Sequence, residues 1–201
     1  DVIFAGANSR ASFKLDTLEV RLKILPMLLG KIAVNVYSTA GKTGEFDFDT
    51  SISVLDLSKG YLLPRTLSVV SKEFPVGGMI AYSLSRVSNS VSGNNPIVKE
   101  LLENIVLKGK LNALIDFDID VFDPTLSSGT AFIELAKSQL SFSDPNIAIA
   151  PQDFEAAKLK ASVRGGNFLV DKASRFKSQG LDFTVNGEIK LREALGKSQV
   201  N

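Results

Sequence analysis

A glycine, a polar residue and then alternating apolar and polar side chains recur along this chain. The phrase appears as Gly30-Lys31-Ile32-Ala33-Val34-Asn35-Val36 and as Gly109-Lys110-Leu111-Asn112-Ala113-Leu114-Ile115. A shorter form is Gly187-Glu188-Ile189-Lys190-Leu191. Glycine lets the chain turn or bulge, and alternation puts one face on a core and the other in water. The pattern predicts a mainly β chain over 1–201, built as a single domain. The expected architecture is one long, strongly curved antiparallel sheet, a half-barrel or trough, with one or two short helices.

Strands are predicted on both sides of a register shift near Asp16-Thr17. Ala11, Phe13 and Leu15 share one face before it; Leu18, Val20, Leu22 and Ile24 share one after it. A hairpin follows, with 31–38 running out, a turn at 40–44, and Phe46 and Phe48 on one face of the return strand. Ile52, Val54 and Leu55 are expected to continue or re-enter the sheet. The apolar stretch Ile24–Leu29, interrupted by Pro26, reads as a buried corner. Residues 57–70 match neither period and contain Pro64, so a short helix is predicted over 64–72. Met79 to Arg86 reads as a strand and 88–95 as a loop. Asn95 caps a predicted helix over 96–104, with Pro96 at its first position and Ile97, Leu101, Leu102 and Ile105 as its stripe. Beyond it, strands are predicted at 109–121, 129–136, 139–143, 146–149, 158–164, 167–172, 181–186 and 187–192, punctuated by glycines and Asp-Pro turns.

Composition narrows the chemistry. The chain has no cysteine and no histidine. Thiol nucleophiles, disulfides, Ser-His-Asp triads and most zinc sites are therefore excluded. The formal net charge of +1 supplies no general attraction to nucleic acid. No cofactor is expected. No apolar run is long enough for a spanning helix. The first residue is Asp1 rather than Met, which suggests that something preceded it: a signal peptide, an anchor helix or simply further sequence that was not expressed.

Two polar motifs invite a functional reading. Asp116, Asp118 and Asp120 fall on one face of a strand, as calcium ligands or a general acid with its base would. Neighbours on that face lie about 6–7 Å apart, and the glycine and glutamate of a calcium loop are missing. A solvated face that resists edge association is the simpler account; Asp47 and Asp49 repeat it on a smaller scale. Gly41-Lys42-Thr43 matches the tail of a phosphate loop. Val36 and Tyr37 stand where its leading glycine belongs, and no helix follows, so a hairpin turn is expected.

The third candidate is the apolar face itself. Phe13, Val34, Val36, Phe46, Phe48, Leu111, Ile115, Phe117, Phe132, Phe142, Phe168 and Phe183 are predicted to line it, either as a core filled by the helices or as a groove open to acyl chains. Each methylene removed from water is worth about 0.8 kcal/mol, so a groove needs no polar group to bind.

The stretch Phe176-Lys177-Ser178-Gln179-Gly180-Leu181-Asp182-Phe183-Thr184-Val185-Asn186-Gly187-Glu188-Ile189-Lys190-Leu191, followed by 195–201, resembles the closing signature of the type II secretion system protein N family. Ile24-Leu25-Pro26-Met27-Leu28-Leu29-Gly30-Lys31 resembles that family's proline–leucine turn into its first long strand. Gly109-Lys110-Leu111 is similar to its central strand, and 132–140 to the strand that follows. The style is also similar to that of AsmA-like, bridge-like lipid-transport proteins. Residues 52–95 depart most from the pattern. The resemblance implies a periplasmic, non-enzymatic accessory of protein secretion, held at the inner membrane by an amino-terminal segment and meeting other secretion proteins of the envelope. The alternative it implies is a lipid-binding or lipid-bridging module. It carries over no catalytic residue.

Overall fold

The computed structural model describes residues 2–5, 12–60, 63–81, 100, 102–120, 122–191 and 199–200. β1 (Val2–Ala5) and β2 (Ser12–Leu15) pair as a small separate sheet. An antiparallel meander follows: β3 (Thr17–Lys23), β4 (Lys31–Ala40), β5 (Gly44–Ser53), β6 (Thr66–Pro75), β7 (Ile105–Asp118), β8 (Ser128–Phe142), β9 (Gln152–Arg164) and β10 (Asn167–Val170). β9 is long enough to take two partners. Its second half pairs with β10, and its first half pairs with β11 (Arg175–Ser178), which in turn pairs with β12 (Asp182–Thr184). β13 (Gly187–Lys190) returns to β10, and β14 (Gln199–Val200) pairs outside it. β3 to β14 thus form one twelve-stranded sheet.

That sheet corrects the expected architecture. It is neither closed nor strongly curled: its order runs from β14 at one edge to β3 at the other, and the two edges do not meet. The half-barrel or trough, and the AsmA-like shape with it, are overturned. Alternation dictates which side chains share a face but not how far a sheet bends. Curl comes from bulges and glycine kinks repeated along the strands. Here the register shifts are few, between Ser71 and Phe74, between Lys108 and Lys110 and between Lys177 and Ser178, with Glu73 and Lys137 at positive φ.

Several elements differ from the sequence expectations. Residues 66–75, predicted as helix from 64 to 72, are β6, because strands on both sides supply ladder partners that local propensity cannot anticipate. Residues 77–81 are helical, which overturns the strand predicted from Met79 at its start; the rest of that predicted strand, the loop 88–95 and the Asn95 cap lie outside the described residues. Residues 100 and 102–104 are helical, as the 96–104 helix requires at its end. The strands predicted at 129–136 and 139–143 are a single strand, β8, and 146–149 is irregular. Val54 and Leu55 leave the sheet to begin α2 (Val54–Ser58), and Ile24–Leu28 forms α1.

Deep burial is sparse and localised. The buried cluster is Leu15, Ala40 and Phe74, with Val2, Phe13, Leu18, Phe46, Met79 and Leu111 packed against it. It joins the β1–β2 sheet and the helical residues 77–81 to one end of the large sheet. Elsewhere the buried apolar residues are mainly alanines, Ala33, Ala113, Ala131, Ala157 and Ala161, whose small side chains are covered by neighbours in their own layer. Among the described residues the sheet is mostly a single layer.

Ser174 mends the ladder where β10 ends and β11 begins. It is fully buried; its hydroxyl accepts from the Lys160 amide at 2.9 Å and donates to the Lys160 carbonyl at 3.2 Å. Ser174→Ala leaves that amide without its partner, an expected loss of about 1–3 kcal/mol in urea unfolding. A change within error would show that water replaces the hydroxyl.

Candidate functional site

Register places most of the predicted apolar residues on one face. One row across the sheet is Val34, Thr50, Leu67, Phe117, Gly129, Val163 and Phe168; the next is Val36, Phe48, Val69, Ile115, Ala131, Ala161 and Val170. A third holds Ser38, Phe46, Ser71, Ala113, Ile133 and Leu159. No charged residue occurs in these rows. Val34, Val36, Phe48, Ile115, Phe117 and Phe168 are only partly buried, so the face is open through its middle. On edge strand β3 the same face shows Val20 and Leu22, each 63% exposed.

The remaining predicted residues lie elsewhere. Phe13 and Leu111 pack against the buried cluster, as Phe46 also does from the third row. Phe142 pairs with Ile105 beyond the bulge in β7–β8. Phe183 is on β12, stacked on Phe176 with ring centroids 5.2 Å apart, outside the main path of the sheet. Phe132 belongs to the opposite face, a correction that parity explains: Ala131 and Ile133 point to the apolar side, so Phe132 cannot. It sits opposite Leu114, next in line to the exposed Val70, in a small apolar island on the otherwise polar face.

The opposite end of the sheet from the buried cluster carries the most exposed apolar surface. α1 joins β3 to β4, and α2 joins β5 to β6. The two are neighbours, since the Val54 amide donates to the Gly30 carbonyl at 2.9 Å. α1 is closed by backbone bonds without a side-chain cap: the Leu29 and Gly30 amides donate to the carbonyls of Pro26 and Met27, and Gly30 ends the turn at φ +70. Ile24, Leu25, Leu28 and Leu29 are 73–80% exposed. The buried corner expected at Ile24–Leu29 is therefore an exposed apolar tip, because no other element covers it among the described residues. The sequence signal that marks it is continuity: six apolar residues in a row, flanked by Lys23 and Lys31, with no alternation. An open depression of about 490 Å³ lies beneath it, lined by Leu25, Pro26, Leu28, Leu29 and Ala33 with Lys23 and Lys31.

The tip is braced from below by a charged clamp. Asp56 of α2 is 2% exposed and accepts from Arg65 Nε at 2.5 Å and Nη2 at 3.1 Å. Arg65 Nη1 also reaches Asp120 at 3.4 Å. The hydrogen bond that Arg65 donates to Asp56 is the main cause holding its guanidinium above the usual range, against the effect of burial. The Phe122 ring lies under both Lys59 and Arg65, 4.9 and 5.3 Å from its centroid.

The aspartate row divides by location. Asp116 and Asp118 are exposed on the polar face of β7, while Asp120 lies past the strand end. Asp120 accepts from the amides of Phe122 and Asp123 at 2.9 Å each, a turn-closing role. These bonds, chiefly that from Asp123, hold its carboxyl below the ordinary carboxylate range. No group of acidic residues placed to hold a metal ion occurs among the described residues. Gly41-Lys42-Thr43 lies in the β4–β5 turn, where Thr43 Oγ1 donates to Glu73 at 2.7 Å.

A pH dependence follows. Asp120, Glu73 (bonded to Lys110 and Thr43) and Asp182 (bonded to Arg175) all have lowered folded-state values. A depressed carboxylate stabilises the fold fully above its unfolded value, near 4. That stability is lost as pH falls through the folded value. The urea midpoint is expected to hold from pH 7 to about 5 and fall below about 4. A midpoint that rises on acidification would contradict these assignments.

No helix among the described residues is long and apolar enough to cross a membrane. No family model, no curated protein and no solved structure matches this chain, so its likeness to secretion protein N rests on the sequence phrases alone.

Proposed function

We propose that this chain is a non-enzymatic contact module of the cell envelope, an accessory of type II protein secretion that works through the open apolar face of its sheet. The observation that carries the reading is the half-exposed row through Val36, Phe48 and Ile115, with the buried apolar cluster of Leu15, Ala40 and Phe74 at one end of the sheet. A face of this kind supports binding energy by area rather than by a reacting group. The secretion setting and the periplasmic location are supported only by the resemblance of 176–191 and 24–31.

Photo-crosslinking tests the reading. A photoreactive residue replacing Phe48 or Ile115 in whole cells is expected to trap a secretion-apparatus protein, while one at exposed Asp116 on the polar face is not. Equal labelling from both faces, or none from the apolar one, would overturn it.

The same rows favour a second reading, in which the face holds acyl chains, because they present hydrocarbon with no charged anchor. Native mass spectrometry of protein prepared without detergent is then expected to show bound phospholipid, and a bare mass would dismiss this alternative.

A further inference from the structure

We infer that the α1 tip is a membrane-docking wedge for an anionic lipid bilayer, a role separate from contacts made by the sheet face. A helix presented to a flat protein surface buries one stripe and keeps polar residues on the other side. α1 has no such division: its five residues are Ile24, Leu25, Pro26, Met27 and Leu28, and all except Pro26 are more than half exposed. Leu29 extends the run, and Leu55 of neighbouring α2 is 70% exposed beside it. Runs of more than three or four exposed apolar residues are disfavoured in water unless they serve binding. Hydrocarbon on every side of a short helix suits a fluid apolar medium that can surround it.

The charges choose the type of bilayer. Lys23 and Lys31 bracket the run at its two sheet-side ends, and Lys59 is exposed at the end of α2. Lys23 shares its charge with Asp49 and the Lys59 ammonium lies over the Phe122 ring, so Lys31, which lines the depression beneath α1, is the cation this role depends on most. The acid of α2, Asp56, is buried and neutralised by Arg65, and α1 itself contains none. With the hydrocarbon inserted, the lysines would stand at headgroup depth, where anionic lipid attracts them. The wedge is also braced, since the Asp56–Arg65 clamp ties α2 to the start of β6.

Flotation with vesicles tests this on the whole chain. Binding is expected to vesicles of phosphatidylcholine mixed with phosphatidylglycerol and to be much weaker with phosphatidylcholine alone. The double change Leu25→Asp and Leu28→Asp should reduce binding at least ~10-fold. Lys31→Glu should reduce it about 5-fold and flatten its salt dependence. Both sites are exposed, so circular dichroism and the urea midpoint should match the unsubstituted protein, separating lost docking from lost folding. Absence of flotation, equal binding to neutral vesicles, or binding unmoved by the leucine changes would overturn the inference. So would a dimer in sedimentation that the leucine changes disperse without any flotation, because a second copy would then be what covers the tip.

Discussion

Asp56→Ala is expected to lower stability by about 3 kcal/mol, a large fraction of what holds a domain of this size folded. The carboxylate is 2% exposed and takes both hydrogen bonds of the Arg65 fork. Removing it leaves a partly buried guanidinium with the longer contact to Asp120 at 3.4 Å and the Phe122 ring 5.3 Å away. The loss comes from that uncompensated charge rather than from the worth of the pair itself, so the control is informative. Replacing both partners, as Asp56→Leu with Arg65→Met, should recover much of the deficit. Hydrogen exchange should show the single variant opening first at residues 54–60, where α2 would be released. A change below about 0.5 kcal/mol would place the pair among exposed ion pairs of little consequence. Because the clamp braces the tip, the single variant should also weaken vesicle binding while leaving Leu25 and Leu28 in place.

Gly129→Ala is the second large effect, with an expected loss of about 3 kcal/mol. Gly129 faces Phe117 across the β7–β8 ladder at φ +150. A Cβ there would lie 2.3 Å from the Asp116 carbonyl oxygen and 2.4 Å from Phe117 Cδ1. The first is backbone in the middle of the sheet and cannot swing aside, so the two central strands must separate locally. Gly165→Ala provides the comparison. Its φ of +57 also favours glycine, but its surroundings are open, with nothing within 4 Å. It should cost only about 1 kcal/mol. Equal losses at the two positions would mean that backbone strain, not the clash, sets the effect. Urea midpoints of the two variants decide it.

The hairpin of β4 and β5 was legible because alternation and a glycine-rich turn agree on it, and β7, β12 and β13 were legible in outline for the same reason. The face shared by Val34, Val36, Phe48, Ile115 and Phe117 follows from period two. Phe132 was misplaced when side-chain size was followed instead of parity. β6 was missed because its residues lack a clean period, and its ladder partners, Phe48 on one side and Ile115 on the other, are far away in the sequence. β11 was missed because its partner is the first half of β9, a pairing that depends on where β10 stops. The Arg65 clamp left no local trace: Asp56, Arg65 and Asp120 reach one another only through the meander. A continuous apolar run signals burial, so the sequence points to a corner at the tip; among the described residues, nothing stands over it.

The order of amino acids by itself determined the strand-rich character, the turns, and which side chains share a face, since each of these is set within a few residues by backbone sterics and the two-residue repeat. Tertiary structure alone decided that the sheet stays open and, among the described residues, that its hydrocarbon face is left half uncovered and that Ile24–Leu29 reaches solvent. Curl and coverage depend on contacts between segments distant along the chain, and local periodicity contains no information about them.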